Sequence, residues 1–128
     1  MRFSTKAEYG LKAMINLALS YPKIKSLKDV SSEEGISFKY LERIICDLRK
    51  CGIIESHKGK DGGYVLAQNP SKVKIGEIVE ILEGPIEIMK CESKKCSSLH
   101  CRSKKVWVEV GKQVRKTLDN ITLLDLIK

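Results

Sequence analysis

Histidine is scarce in this chain, with two in 128 residues, and neither stands in a recognisable Cys-His arrangement. An enzyme with a cysteine nucleophile, which would need such a base, is therefore poorly supported. Long apolar runs are missing as well: none approaches the roughly 18 residues of a membrane span, and the opening MRFSTKAEYG lacks the apolar stretch of a secretory signal. The expectation is a cytoplasmic protein with no membrane partner and no small-molecule substrate. Aromatic residues make up 5% of the chain against 42% hydrophobic, which is ordinary for a helical soluble protein and too apolar for disorder. Acidic residues are in deficit, 16 against 24 lysines and arginines, giving a net charge of +8. That excess favours a polyanionic partner, of which nucleic acid is the commonest, although many basic proteins bind no DNA. Internal repeats and low-complexity segments are absent.

What is present reads first as helices. Ala7, Leu11, Met14, Ile15 and Ala18 make a helical stripe over residues 4 to 20, and Thr5-x-x-Glu8 fits a capping box with Thr5 as N-cap. Pro22 ends that pattern. Leu27 and Val30 line a short helix closing at Gly35. Ser37 then caps a second helix with Tyr40, Leu41, Ile44, Ile45 and Leu48 on one face and Lys39, Arg43 and Arg49 off it, ending at Gly52. Two helices joined by a glycine-containing turn, the second one basic, are the pattern of a helix-turn-helix whose second helix enters the major groove. Ile53 to His57 and Tyr64 to Ala67 read as two strands around a Gly59 to Gly63 turn, a wing in which glycines permit a tight tip and close backbone approach to phosphates.

Lys72 to Leu82 is expected to form a further helix, stopped by Gly84-Pro85. Val106, Trp107, Val110, Val114, Leu118 and Ile121 recur at three- and four-residue spacing, a long amphipathic helix whose stripe exceeds what so small a core can cover. It is expected to pair with its copy in a homodimer, with Trp107 in the shared core, and the segment Ile121 to Ile127 to pack on the body.

Five cysteines in a reducing compartment suggest metal or redox chemistry rather than disulfides. Cys91, Cys96 and Cys101 stand in two equal Cys-x4-Cys intervals, with His100 beside the third and Lys90, Lys94, Lys95, Arg102, Lys104 and Lys105 around them. Cationic neighbours favour the thiolate, the form that binds metal or reacts. Zinc would need a further partner from Cys46 or Cys51, and a metal-free thiol switch is a third reading. Cys46 and Cys51 read as small packing residues.

The opening MRFSTKAEYGLKAM, the run ISFKYLERIICDLRKCGIIES, the wing GKDGGYVLA, the three-cysteine loop and the ending LDNITLLDLI together resemble the Rrf-two family of winged-helix bacterial transcription regulators, in order and over essentially the whole chain. The resemblance implies a mainly α fold: a winged helix-turn-helix over residues 1–70, with a small β-hairpin wing, followed by residues 71–128 carrying a helix, a cysteine loop (91–101) and a long C-terminal dimerisation helix. It implies a homodimer on a double-stranded DNA operator. For cluster-binding members it implies an iron-sulfur cluster, two-iron or four-iron, on Cys91, Cys96 and Cys101. The fourth ligand departs from one pattern in the family, a histidine three residues after the last cysteine, because Lys104 stands there. A second pattern, a carboxylate from the partner's first helix, falls on Glu8. His100 is a weaker candidate, and Glu8 also has the capping role open to it.

On the DNA side the candidate contacts are Ser37, Lys39, Tyr40 and Arg43 on the second helix, where Glu42 matches a glutamate of the family's recognition helix, and His57, Lys58, Lys60, Gly62 and Gly63 at the wing. Arg43 could read guanine bidentately, while Glu42 could accept from cytosine N4 or repel phosphate. Lys58 stands where the family usually has arginine, which keeps the charge and loses the planar fork. The implied function is a transcription regulator sensing iron-sulfur supply, nitric oxide or redox state through a cluster. The alternative is a cluster-free regulator of the same fold, controlled by thiol oxidation or a partner protein.

Overall fold

Met14, Leu17, Leu41, Ile44, Ile45, Leu48, Ile78 and Leu123 are each at most 2% exposed, and they come from four different helices that meet in one core. Burying each such side chain contributes about 1.5–3 kcal/mol before entropy is counted. The structure, a computed structural model, describes residues 2–88 and 102–128. In chain order these form α1 (Thr5–Ser20), α2 (Leu27–Glu34), α3 (Phe38–Lys50), β1 (Ile54–His57), β2 (Gly63–Leu66), a 3-10 turn at Pro70–Lys72, α4 (Ile75–Glu83), α5 (Lys104–Asp119) and α6 (Leu123–Ile127). The fold is mainly helical, with a winged helix-turn-helix and a long C-terminal helix, as the sequence pattern indicates. None of its described helices is long and apolar enough to cross a membrane.

The helix-turn-helix forms for local reasons. Ser26 caps α2 by accepting the Asp29 N–H at 3.1 Å. Gly35 closes it at φ 68°, a left-handed conformation that glycine adopts without a Cβ penalty. Ser37 then caps α3, its hydroxyl accepting the Tyr40 N–H at 3.2 Å. The hairpin pairs Ile54 with Leu66 and His57 with Gly63 in antiparallel register. One further pair anchors it: the Tyr64 N–H donates to the Lys25 carbonyl at 2.8 Å and the Lys25 N–H donates back at 2.9 Å. The base of the wing is thereby fixed to the segment entering α2.

The N-cap of α1 is Ser4, which accepts the Ala7 N–H at 3.2 Å. The Thr5–Glu8 capping box therefore does not form; Glu8 instead points outward, 3.7 Å from Lys12. The helix expected from Lys72 begins at Ile75, because Val73 and Lys74 are extended and engage the C-terminal segment. There the Ile75 N–H donates to Ile121 at 2.8 Å and the Leu123 N–H donates to Val73 at 2.9 Å. Ile121 is consequently not on the α5 stripe, and Thr122 caps α6 in a reciprocal box with Asp125. Cys46 is half-buried, but Cys51 is exposed at the C-cap of α3, outside the core.

Candidate nucleic-acid interface

The apolar side of α3, Leu41, Ile44, Ile45 and Leu48, is held in the core, so its remaining residues are presented outward. Two sets of them, with the Ser37 cap, line concavities. Ser37, Lys39, Tyr40 and Arg43 line one shallow concavity of about 340 Å³ at the start of the helix. Tyr40 is braced from behind by Tyr9 of α1, ring centroids 5.8 Å apart and edge-to-face at 88°. The second set, Phe38, Glu42 and Arg49, faces the wing across a trench of about 470 Å³.

Across that trench stand His57, Lys58, Gly62 and Gly63, so the two halves of the expected DNA surface are neighbours in space. Lys60 is exposed at the wing tip and does not line the trench. The His57 Nε2 lies 3.8 Å from the Glu55 carboxylate on the same strand. The glycines have distinct reasons. A Cβ on Gly63 would sit 2.2 Å from the Lys25 carbonyl oxygen, and one on Gly62 would sit 2.3 Å from that of His57. Both are required for close backbone approach, whereas the positive φ of the tip, 115°, falls at Gly59. Lys28, Phe38 and Arg49 share the trench and were not singled out from the sequence as contacts. The signal that could have found Phe38 is an aromatic at the first helical position and the edge of the apolar stripe; it is 47% exposed.

A polar network stands behind the wing anchor. Lys25 pairs with Glu33 of α2. Asn16 of α1, 4% exposed, donates to Glu33 at 3.1 Å and to Glu34 at 2.7 Å. The hydrogen bond from Lys25, followed by that from Asn16, holds the Glu33 carboxyl below its usual value. The network ties α1, the end of α2 and the wing together.

Cys91, Cys96, Cys101 and His100 lie outside the described residues. Of the expected ligand set, Glu8 is placed: it sits in the first turn of α1 with a side chain 62% exposed. Lys104 opens α5, where one family pattern has histidine. Among the described residues no three histidine, cysteine or acidic side chains gather as a metal site. Three thiols and an outward carboxylate among cations nevertheless suit an anionic iron-sulfur cluster. The α5 surface is largely open: Val106 is 55% and Val110 39% exposed. With Phe3, Val114 and Leu118, Val110 lines an apolar groove of about 450 Å³.

Comparison with known proteins agrees with this architecture. A family model described as "Rrf2: Iron-dependent Transcriptional regulator" matches residues 3–128. The HTH-type transcriptional regulator CymR of Bacillus subtilis is 35% identical over 130 residues, covering 98% of this chain and 89% of that one. IscR of Yersinia pseudotuberculosis is 32% identical, covering 99% and 79%. The solved structure of the B. subtilis protein, described as the global cysteine regulator, superposes with a TM-score of 0.89 at 34% identity over 99% of this chain and 96% of that one. For T. potens IscR the TM-score is 0.83 at 37% identity, over 99% and 86%. These relatives are transcriptional regulators, which removes the reading as an enzyme.

Proposed function

The chain belongs to the Rrf2 family of transcriptional regulators, and from that premise we propose that it acts as a homodimer on a double-stranded DNA operator, with affinity set by an iron-sulfur cluster on Cys91, Cys96 and Cys101. Residues 1–70 contact DNA and residues 71–128 serve sensing and pairing. The observation that carries the DNA half is the adjacency of the exposed α3 residues and the wing across one trench. Ser37, Lys39, Tyr40 and Arg43 enter the major groove, and Lys58 and Lys60 take the phosphate backbone beside it. The open apolar groove on α5 suits a second copy of the same helix.

Glu8 of one protomer completes the ligand set of the other. The cluster would supply a group whose presence answers to iron, oxygen or nitric oxide. The carboxylate fixes the first turn of α1, and α1 packs against α2, α3, α4 and β2. Its position therefore bears on the spacing of the two recognition helices, with a coupling of about 1–3 kcal/mol. The second reading, a cluster-free regulator using thiols or a partner protein, is favoured by the similarity to CymR.

Iron and acid-labile sulfide content, with the visible spectrum, of anaerobically prepared wild type and Glu8→Ala separates the two. A cluster in wild type that is lost or unstable in the variant supports the first reading. Absence of iron after reconstitution leaves the second.

A further inference from the structure

Phe38 is a large apolar side chain, 47% exposed, at the first position of α3. It adds little to the core, which takes Leu41, Ile44, Ile45 and Leu48 from the same helix. Glu42 follows it one turn later on the same side. Around it in the trench the charges are predominantly positive: Lys28 from α2, Arg49 from α3 and Lys58 from the wing, with His57 beside them and Glu42 the acid. A surface that is cationic at its rim and apolar at one point is complementary to a polyanion that presents an apolar group. In a duplex read through the major groove, the apolar group on a base edge is the thymine 5-methyl, and phenylalanine is a side chain that meets it. The first residues of a recognition helix are those that reach base edges.

We propose that Phe38 is a specificity-determining residue that packs on a thymine methyl in each half-site, while Lys28 and Arg49 hold the phosphate strand passing between α3 and the wing. This rests on the DNA-binding reading above.

The test uses the full-length protein and a randomised duplex pool from which wild type selects its preferred sequence. Each thymine of that duplex is then replaced singly by deoxyuridine, which removes the methyl and nothing else. Wild type should lose about fourfold in affinity at one or two thymines per half-site, the effect of one buried methyl. Phe38→Ala should bind thymine and deoxyuridine duplexes equally at those positions, and Phe38→Leu should keep part of the discrimination. Circular dichroism checks that both variants fold. Deoxyuridine effects that are absent in wild type, or unchanged in Phe38→Ala, overturn the proposal and leave DNA binding intact. A change in oligomeric state of Phe38→Ala by sedimentation would also overturn it, assigning the patch to a second copy. Failure of wild type to retain any duplex from the pool overturns the DNA-binding reading, and this proposal with it.

Discussion

Replacing Gly63 by alanine tests whether the wing is held where the structure places its anchor. The added Cβ would lie 2.2 Å from the Lys25 carbonyl oxygen and 2.6 Å from its carbon, both backbone atoms that no side-chain rotation can move aside. The two strands of contact must part, and the pair of backbone hydrogen bonds between Lys25 and Tyr64, 2.8 and 2.9 Å, is lost. At about 0.5–1.5 kcal/mol each, that is a loss of about 1–3 kcal/mol. Alanine in an allowed strand conformation restricts the unfolded chain and returns about 0.4–1 kcal/mol. Central values leave a net destabilisation of about 1.3 kcal/mol, or a Tm lower by roughly 4–8 °C for a domain of this size. Thermal unfolding followed by circular dichroism at fixed protomer concentration measures it. A urea midpoint that falls with an unchanged m-value would show that stability alone has moved. A variant with wild-type Tm would refute the reasoning, because the segment entering α2 would then yield freely and could not be anchoring the wing.

Lys58→Ala should weaken binding to specific and scrambled duplexes alike and reduce the salt slope by about 1, whereas Arg43→Ala should relax base preference; equal losses on both duplexes for both variants would refute that division. Leu123→Ala, at a site with no exposed surface, should cost about 2–4 kcal/mol by urea unfolding; a loss below about 1 kcal/mol would mean that α6 is not part of the cooperative core. Ser37→Ala removes the cap of α3 and should destabilise by about 1 kcal/mol while weakening DNA binding, both read in one titration series. Glu33 has a lowered pKa, so its contribution is present above the usual 4.5 and lost as pH falls through the lower folded value. Lys25→Met should therefore be less stable than wild type at pH 7, with the difference shrinking below pH about 4.5; a difference undiminished at pH about 3 would exclude Glu33 as its source.

The elements legible from the sequence are those in which several residues repeat one signal. The five-residue apolar stripe of α3, bracketed by Ser37 and Gly52, defines that helix, and the glycine cluster between two short strands defines the wing. Less legible were features decided by a single distant pair. The extension of Val73 and Lys74, which delays α4, comes from pairing with Ile121 to Leu123, nearly fifty residues on. The Lys25–Tyr64 pair is one bridge with no periodicity to betray it. At the start of α1, Ser4 and Thr5 are both good caps, and the backbone chose the first. Of the candidate site, the α3 and wing residues are legible from the capped basic helix and the glycine-rich turn that follows it. Lys28, Phe38 and Arg49 emerged as their neighbours because the folding of α2 against the hairpin brings them to one trench.

The stitch between Val73 and Ile75 on one side and Ile121 and Leu123 on the other fixes the chain just beyond α5 to the body, and Arg115 and Leu118 hold its second half there, while Val106 near its start is exposed. Its 16 residues span about 24 Å. A rotation of 10° about its C-terminal end would carry Lys104, three residues beyond Cys101 in sequence, through an arc of about 4 Å. That is close to the rise of one base pair, about 3.4 Å. In the proposed dimer, with two copies joined along this helix, an angular change of that size would be enough to move the two recognition helices in or out of step with the duplex. The ratio of arm length to base-pair rise would set the gearing between the cysteine segment and the DNA in that proposed dimer.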